Sequence, residues 1–254
     1  MVISFHLGGG FVMYGIKSHK GMVREINEDS CNVIFGSSKM KAAFIIADGM
    51  GGHNAGEVAS RMAVEYISEK INEAEKDFSE DGVCQFLIST IKEANDIIFK
   101  KSNAPGPFSG MGTTLIIAVF FAERVYIGHV GDSRVYVIRN NGIQQLTTDH
   151  SYVEELIKNG SLSRVEAENH PQKHVITRAI GCFEDVEADI YTYDIHTDDT
   201  FVLCTDGLTN MLSDDIIKSI IIQSDDPQSA CAELVEKANK SGGNDNITLC
   251  IIRV

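Results

Sequence analysis

Two apolar stretches of this chain each end abruptly at an Asp-Gly pair, and this repeated ending constrains the fold more than any other feature. Residues 44–49 end in Asp48 followed by glycine, and residues 201–207 end in Asp206 followed by glycine. A strand that is buried along its length places its last side chain at the edge of the sheet, so two such strands lying side by side bring two carboxylates together. Neighbouring carboxylates repel each other, and a divalent cation relieves that repulsion. The pattern therefore predicts a metal site at one end of a buried sheet.

Two further aspartates occupy the same kind of position beside an apolar strand. Asp132 follows Gly131 inside a long β-like stretch, and Asp245 lies just before the apolar run 247–252. Glycine near each aspartate lets the backbone turn tightly and approach a ligand closely. Any single Asp-Gly pair is explained most simply as a hairpin turn. Four aspartates at strand ends make a shared metal site the better explanation.

The composition indicates one folded domain and argues against two classes of partner. The 254 residues are 43% hydrophobic and 23% charged, and no Pro- or Ser-rich linker divides them. A net charge of −14 argues against binding to nucleic acid or to an anionic membrane surface. We assign residues 13–254 to a single domain, and we regard residues 1–12, which contain a run of three glycines, as an N-terminal extension.

Cysteine usage and hydropathy predict a cytoplasmic protein. The six cysteines are scattered and form no Cys-x-x-Cys pair, which favours buried reduced thiols over zinc ligands or disulfides. The longest apolar run, residues 115–122, is too short to cross a bilayer. The N-terminus lacks the basic start and continuous apolar core of a signal peptide.

Helix-like and strand-like segments occur in blocks along the chain. Helices are predicted from Asn54 through residue 67 and at 83–98, 213–222 and 226–238, and strands at 113–138, 188–195 and 200–205. Residues 149–170 are polar and carry little apolar surface, which is typical of a lid. Blocks without regular βαβ alternation indicate an α+β fold in which helices cover antiparallel sheets. A four-layer αββα sandwich, with two central and mostly antiparallel β-sheets flanked by helices, satisfies this pattern.

A set of short motifs, in order along almost the whole chain, carries a family resemblance. The motifs lie at residues 21–29, 48–53, 110–114, 129–134, 146–150, 177–181, 205–208 and 243–248. No single motif suffices, but the ordered set resembles the metal-dependent protein Ser/Thr phosphatases of the protein phosphatase 2C family, in their compact bacterial form. The resemblance implies the αββα sandwich, with a metal site at one end of the two central sheets. The low apolar content of residues 149–173, whose ends lie next to two of the motifs, predicts a flap beside that site.

The resemblance also implies roles for individual residues. Two core ions, Mn²⁺ or Mg²⁺, and a weaker third ion are expected. The expected metal ligands are Glu28, Asp48, the carbonyl of Gly49, Asp132, Asp206 and Asp245. Asp48 would bridge the core ions, Asp206 and Asp245 would complete the shell of one, and Glu28 would serve the other. Asp132 would hold the third ion with Asp206, and Arg24 would bind phosphate, so that Arg24, Asp48 and Asp206 form the expected catalytic set.

The chemistry of phosphate esters requires residues of these types. Phosphate monoesters resist attack by water, so a catalyst must generate hydroxide and neutralise charge. Two divalent ions can share one water and lower its pKa, and hard cations prefer oxygen ligands. Arg24 can donate two hydrogen bonds to phosphate oxygens. The expected reaction is hydrolysis of phosphoserine and phosphothreonine in proteins by a metal-bridging hydroxide, without a phosphoenzyme.

The chain departs from the family pattern at its histidines. Animal relatives often carry His at the third position of the Asp-Gly-His-Gly-Gly motif, where this chain has Met50. His53 follows the glycines instead and is expected either to donate a proton to the leaving group or to support the site from outside it. His129 is expected to make a structural hydrogen bond. His150, His170 and His174 are expected to be solvated surface residues in or near the flap.

Several alternatives remain open at this point. The chain could be an inactive regulatory module of the same fold, or a phosphatase dedicated to one regulatory partner, such as a sigma-factor antagonist. A nucleotide-binding ATPase or kinase is disfavoured because the chain has no Gly-x-x-x-x-Gly-Lys-Ser/Thr loop. The expected partners are phosphorylated proteins, and the resemblance implies that a bacterial-type Ser/Thr kinase is one of them. The chain is expected to be a monomer.

Overall fold

The computed structural model describes residues 3–7, 10–36, 39–51, 55–74, 80–168 and 170–254. The strands are β1 Ile3–Leu7, β2 Gly10–His19, β3 Asp29–Phe35, β4 Ala42–Met50, β5 Gly112–Thr113, β6 Leu115–Phe120, β7 Arg124–Val130, β8 Arg134–Arg139, β9 Gly142–Gln145, β10 Asp189–Asp194, β11 Thr200–Cys204 and β12 Ile247–Arg253. The helices are α1 Gly56–Ala74, α2 Val83–Ser102, α3 Tyr152–Lys158, α4 Arg164–Glu168, α5 Asp206–Thr209, α6 Asp214–Gln223 and α7 Pro227–Lys240, with a 3₁₀ turn at Glu80–Gly82.

The strands of the described ranges form two sheets. The first has the order β1-β2-β12-β11-β8-β9, and the second has the order β10-β7-β6-β4-β3, with β5 paired to β4. Every strand pair in these two sheets is antiparallel. The α+β class and the antiparallel sheets predicted from the sequence are therefore confirmed.

Three apolar layers hold the sandwich together. Between the sheets, the rings of Phe44, Phe120 and Phe201 form a chain of edge-to-face contacts with centroids 5.4–5.5 Å apart. Helices α1 and α2 pack on the outer face of the second sheet. Helices α6 and α7 pack on the outer face of the first. The result is the predicted four-layer αββα arrangement.

The two strands with Asp-Gly endings do not lie side by side in one sheet, as their sequences suggested. Strand β4 belongs to the second sheet and β11 to the first. Their ends meet because the sheets are stacked face to face and both strands finish at the same end of the sandwich. The expected neighbourhood of Asp48 and Asp206 is therefore produced by sheet packing, not by strand pairing.

Element boundaries agree with the sequence pattern in most places. Helix α7 begins at Pro227 and is capped by the Asp226 side chain, which accepts hydrogen bonds from the N–H groups of Gln228 and Ser229. Ser213 precedes α6 but makes no side-chain cap. The helix start expected at Asn54 lies outside the described residues, and α1 begins at Gly56.

The N-terminal stretch contributes to the first sheet. Strand β1 pairs antiparallel with β2, from Ile3 opposite Tyr14 to Leu7 opposite Gly10. Val12 is fully buried between the sheets. The first sheet thus includes residues on both sides of the boundary expected at Met13. No helix among the described residues is long and apolar enough to span a membrane.

Candidate functional site

One end of the sandwich carries a polar groove of about 710 Å³ between the ends of the two sheets. Asp48 lies near the end of β4, Asp132 in the turn between β7 and β8, and Asp206 at the start of α5 after β11. Asp245 lies in the loop before β12. The residues that line the groove include Arg24, Glu28, Asp48, Gly49, Asp132, Asp206 and Asp245 together with Lys173 and His174 from the flap side. The groove therefore brings together all the sequence-predicted site residues that the structure describes.

The carboxylates of this groove interact strongly with one another. Burial raises the pKa of Asp48 well above its usual range, and the charges of four neighbouring aspartates raise it further. Burial and the charge of Asp206 raise the pKa of Asp132. Burial and the charge of Asp245 raise the pKa of Asp206, which lies within hydrogen-bonding reach of the Asp48 side chain. A cation in the groove would relieve this repulsion and favour the ionised carboxylates.

The donor set fits a hard divalent cation. Carboxylate oxygens and a backbone carbonyl are the ligands that Mg²⁺, Mn²⁺ and Ca²⁺ prefer. In the described ranges, no three Asp, Glu, His or Cys side chains already form a closed metal shell.

Glu28 and Gly49 lie against the first turn of α1. The carboxylate of Glu28 accepts a hydrogen bond from the backbone N–H of Gly56; burial raises its pKa, and the nearby Arg24 opposes this shift. A Cβ atom added at Gly49 would lie 2.1 Å from the carbonyl oxygen of Gly56. Only glycine allows this close approach of β4 to the helix.

Arg24 lies on the exposed side of the groove. Its guanidinium donates a hydrogen bond of 2.8 Å to Asp245, and its side chain is 47% exposed. The loop that carries Arg24 joins β2 to β3 and is not part of either sheet. An exposed ion pair of this kind contributes little to stability, so the guanidinium can exchange its partner at small cost.

Two threonines that the sequence interpretation left without a role hold the Asp48 strand. The backbone N–H of Asp48 donates to Thr114 Oγ1 at 2.9 Å, and Thr113 Oγ1 donates to the carbonyl oxygen of Asp48 at 2.9 Å. Thr114 Oγ1 also lies 2.8 Å from Ser133 Oγ, beside Asp132. Thr114 thus connects strand β4, which carries Asp48, to the turn that carries Asp132. Both threonines belong to the motif at residues 110–114, which served as evidence for the family resemblance but to which no role was assigned.

Asn246 ties the loop of Arg24 to the start of β12. Its side-chain oxygen accepts the N–H of Glu28 at 2.7 Å, and its side-chain nitrogen donates to the carbonyls of Lys20 and Ile26 at 2.9 Å. Asn246 therefore sets the position of the loop relative to Asp245. One indication of this role was present in the sequence, because Asn246 directly follows the predicted metal ligand Asp245.

Asp29 is a buried acid beneath the groove that the sequence interpretation also passed over. It lies opposite Asp48 in the pairing of β3 with β4. Burial raises the pKa of Asp29, and the hydroxyl of Thr205 donates to its Oδ2 at 3.1 Å. Its Oδ1 has no hydrogen-bond partner. This orphaned oxygen adds to the excess of acceptors at this end of the sandwich.

The histidines differ from one another in their placement. His53 lies outside the described residues. His129 is fully buried and hydrogen-bonds through Nε2 to the carbonyl oxygen of Ser133 at 2.8 Å, so its predicted structural hydrogen bond is confirmed. The prediction for His150 was wrong, because its side chain is buried, with only 3% of the residue exposed. His174 is exposed at the edge of the groove.

The flap, residues 149–173, contains α3 and α4 and borders a second cavity of about 690 Å³. Both of its ends are attached to the sandwich. Asp149 accepts hydrogen bonds from Nε and a terminal nitrogen of Arg134 at 2.7–3.0 Å, and Ser151 pairs with Ile176 across the base of the flap. The second cavity opens beside Asp132 and Asp206, between the flap and the helices α5 and α6.

Comparisons with known proteins agree on one family. Residues 18–238 match the family model described as Protein phosphatase 2C. The chain is 39% identical over 236 residues to the serine/threonine phosphatase stp of Listeria monocytogenes serotype 4b, covering 93% of each protein. It is similar to the structure of the S. agalactiae serine/threonine phosphatase, with a TM-score of 0.90, 34% identity and coverage of 96% of this chain and 99% of that one. It is also similar to the catalytic domain of the phosphatase PstP in complex with two manganese ions, with a TM-score of 0.80, 31% identity and coverage of 95% and 97%.

Proposed function

The chain belongs to the protein phosphatase 2C family and is a protein serine/threonine phosphatase, and from this premise we propose that the groove at the end of the sandwich is its metal-dependent active site. The supporting observation is the convergence of Asp48, Asp132, Asp206 and Asp245 on one groove, where burial and mutual repulsion raise the pKa of the first three. Burying several acids together is costly unless cations compensate them.

We propose the following division of work among the residues. Asp48 would serve both core ions, Asp206 and Asp245 would complete the shell of one, and Glu28 with the carbonyl of Gly49 would serve the core pair from the α1 side. Asp132 would hold a weaker third ion together with Asp206. The manganese named with the PstP structure supports Mn²⁺ as the first cation to test, with Mg²⁺ as the second. When bound, such ions supply charge neutralisation and an activated water.

Arg24 is proposed to bind the phosphate group of the substrate. Its guanidinium lies on the same groove, is 47% exposed, and pairs with Asp245 through one hydrogen bond. A phosphate dianion offers two oxygens to the same planar donor, which is a stronger partner than one carboxylate oxygen. Arg24 would then orient the phosphorus toward the acidic end of the groove.

The substrates are phosphorylated proteins, and a bacterial-type Ser/Thr kinase is proposed as one of them. A monomer in the cytoplasm also remains our proposal. The inactive-module alternative is not favoured, since the relatives are named phosphatases and the acids at the groove are all present. The alternative of a phosphatase dedicated to one regulatory partner is also not favoured, since the relatives are named simply as serine/threonine phosphatases.

Removal and return of metal tests the proposed site. Protein treated with a chelator should not hydrolyse an aryl phosphate or a phosphopeptide, and activity should return with Mn²⁺ and less efficiently with Mg²⁺. Calorimetric titration with Mn²⁺ should show binding that Asp48→Asn abolishes. Asp215→Asn is the matched control, because this carboxylate is 87% exposed on α6 and pairs with Lys218. Full turnover in the presence of chelator would refute the proposal.

A further inference from the structure

His150 connects the base of the flap to the turn that carries Asp132. Its backbone N–H donates to the carbonyl oxygen of Gly131 at 2.8 Å, and its own carbonyl accepts from the N–H of Thr177 at 2.8 Å. The residue is only 3% exposed although its neighbours in the flap are polar. Burial of a histidine in such a segment requires a specific set of partners.

The imidazole of His150 makes one hydrogen bond through each nitrogen. Nδ1 accepts from the backbone N–H of Gly131 at 3.0 Å, and Nε2 lies 3.2 Å from Oδ2 of Asp189. A nitrogen that accepts from an amide carries no proton, so the neutral ring has its hydrogen on Nε2 and donates it to Asp189. Burial also lowers the pKa of His150, which favours this neutral form.

Asp189 is itself held in place by other groups. Arg178 donates to its Oδ1 at 3.0 Å, and the hydroxyl of Tyr191 donates to its Oδ2 at 3.0 Å. The same nitrogen of Arg178 lies 3.4 Å from Nε2 of His150, which is a longer contact than its bond to the carboxylate. Burial opposes ionisation of Asp189, but the hydrogen bond from His150 and the other donors keep its pKa below the usual range.

The turn at Gly131 packs closely against Thr114 on one side and His150 on the other. Gly131 has φ of +112°, and a Cβ atom added there would lie 2.6 Å from the side chain of Thr114. The residue after the turn, Ser133, is bonded to Thr114. His150 is the partner on the other side, so Asp132 stands between two supported residues.

We propose that His150 is a positioning residue for Asp132: with its tautomer set by Asp189, it fixes the peptide of Gly131 and so aims the Asp132 carboxylate into the groove. The inference rests on the proposed function, because it matters for catalysis only if Asp132 is a metal ligand. His150 itself touches neither substrate nor ion. A residue that supports a metal ligand in this way commonly changes metal affinity by roughly 10–100-fold when it is replaced.

Two substitutions separate the two nitrogens of the ring. His150→Asn keeps an oxygen where Nδ1 accepts from Gly131, and His150→Gln keeps an N–H donor toward Asp189 but loses the acceptor. With an aryl phosphate, His150→Gln should raise the Mn²⁺ concentration for half-maximal turnover roughly tenfold, whereas His150→Asn should raise it by no more than about threefold. KM at saturating Mn²⁺ should be unchanged in both variants. Equal effects of the two would contradict the proposal, because a merely structural histidine has no reason to distinguish them.

A second measurement needs neither metal nor a variant. In metal-free ¹⁵N-labelled protein, the imidazole nitrogen shifts should report a neutral ring protonated on Nε2. A coupling across the N–H···N hydrogen bond should connect the nitrogen of Gly131 to Nδ1 of His150. A ring protonated on Nδ1 at neutral pH, or no such coupling, would overturn the positioning role even if His150→Gln fails to fold.

Asp132→Ala distinguishes failure of this inference from failure of the proposed function. If Asp132→Ala changes the Mn²⁺ dependence and His150→Gln does not, the role of His150 is wrong and the metal site stands. If Asp132→Ala also has no effect, the assignment of Asp132 to a metal fails, and the positioning of a ligand by His150 fails with it.

Discussion

The two sides of the groove are built differently. On the inner side, Asp48 is held by its own strand and by two threonines. Thr114 accepts a hydrogen bond from the backbone N–H of Asp48, and Thr113 donates one to its carbonyl oxygen. On the outer side, Arg24 comes from a loop, is 47% exposed and has one ion pair. Strand ends supply a rigid place for charge, and loops supply groups that can change partners. The inner side, which carries the acids and is called the acidic side below, should therefore be sensitive to small changes. The outer side, where we propose that the substrate binds and which is called the substrate side below, should tolerate them.

The largest expected effect is at the acidic side. Asp48→Asn and Asp206→Asn should each lower turnover by roughly three orders of magnitude or more, since each carboxylate is proposed to serve more than one ion. Steady-state kinetics with an aryl phosphate at saturating Mn²⁺ measures this, with Asp215→Asn as the exposed control. A near-normal rate in either variant would remove that residue from the site.

Arg24→Ala should act on substrate affinity. We expect KM to rise roughly tenfold or more with kcat largely kept, because a hydrogen bond to a charged group is worth about 1.5–3 kcal/mol and is made equally in ground and transition states. Arg61→Ala, an exposed arginine on α1 away from the groove, is the control. A fall in kcat at unchanged KM would mean that the guanidinium stabilises the transition state instead.

Thr114→Val tests how much the inner side depends on its hydrogen bonds. The substitution leaves the N–H of Asp48 and the hydroxyl of Ser133 without a buried partner, so it should lower the free energy of unfolding by about 1–3 kcal/mol. It should also weaken Mn²⁺ binding. Thr192→Val, at an exposed position of β10, is the matched control and should be nearly neutral in chemical denaturation. Equal stability of the two variants would show that the two hydrogen bonds of Thr114 do not stabilise the fold.

Buried His129 predicts a dependence of stability on pH. Burial lowers its pKa to about 4, and its Nδ1 has no partner that could accept a proton. In the unfolded chain this histidine is protonated below about pH 6.5, whereas in the folded chain it stays neutral down to about pH 4. The unfolded state therefore binds more protons between these values, and the free energy of unfolding falls as the pH decreases from 6.5 to 4. The contribution is at most about 1.4 kcal/mol per pH unit. His150, whose pKa is also lowered by burial, acts in the same direction.

Denaturant titrations at several pH values measure this slope. His129→Gln removes the titrating group. The slope of the free energy of unfolding against pH, between pH 6.5 and 4, should therefore be shallower in this variant than in the parent, by an amount that corresponds to at most one proton. An unchanged slope would show that His129 is not the residue responsible.

The smallest effect is expected on the substrate side, at the flap. Ser161 is an exposed residue there and lines neither the groove nor the second cavity. Ser161→Ala should change turnover of phosphopeptides by roughly two- to threefold and leave an aryl phosphate unaffected, since the small substrate ends at the phosphate. Equal proportional losses on the two substrates would mean that the flap supports the acidic side itself.

Much of the acidic side could be predicted from local sequence. An apolar run followed by Asp-Gly specifies a buried strand with a carboxylate at its end, and this pattern located Asp48 and Asp206 correctly at one end of the sandwich. The helical spacing of residues 83–98 likewise identified α2. These features depend on neighbours a few residues apart, so periodicity reports them.

The supporting residues could not be found in this way. Low apolar content between residues 149 and 170 predicted a solvated His150, whereas hydrogen bonds to Gly131 and Asp189 bury it. Both partners lie about twenty or more residues away in the chain, and a polar side chain is buried only where such distant partners satisfy it. Periodicity carries no information about that condition.

The sequence by itself determined the buried strands that end at Asp48 and Asp206, the helices α2, α6 and α7, and the charge at the strand ends, because these follow from local apolar spacing and backbone preference. Only the tertiary structure decided that β4 and β11 meet from opposite sheets, that Thr114 joins the strand of Asp48 to the turn of Asp132, and that His150 is buried. The reason is that face-to-face packing of two sheets sets which polar groups lie within hydrogen-bonding distance, and that distance is a property of the assembled layers.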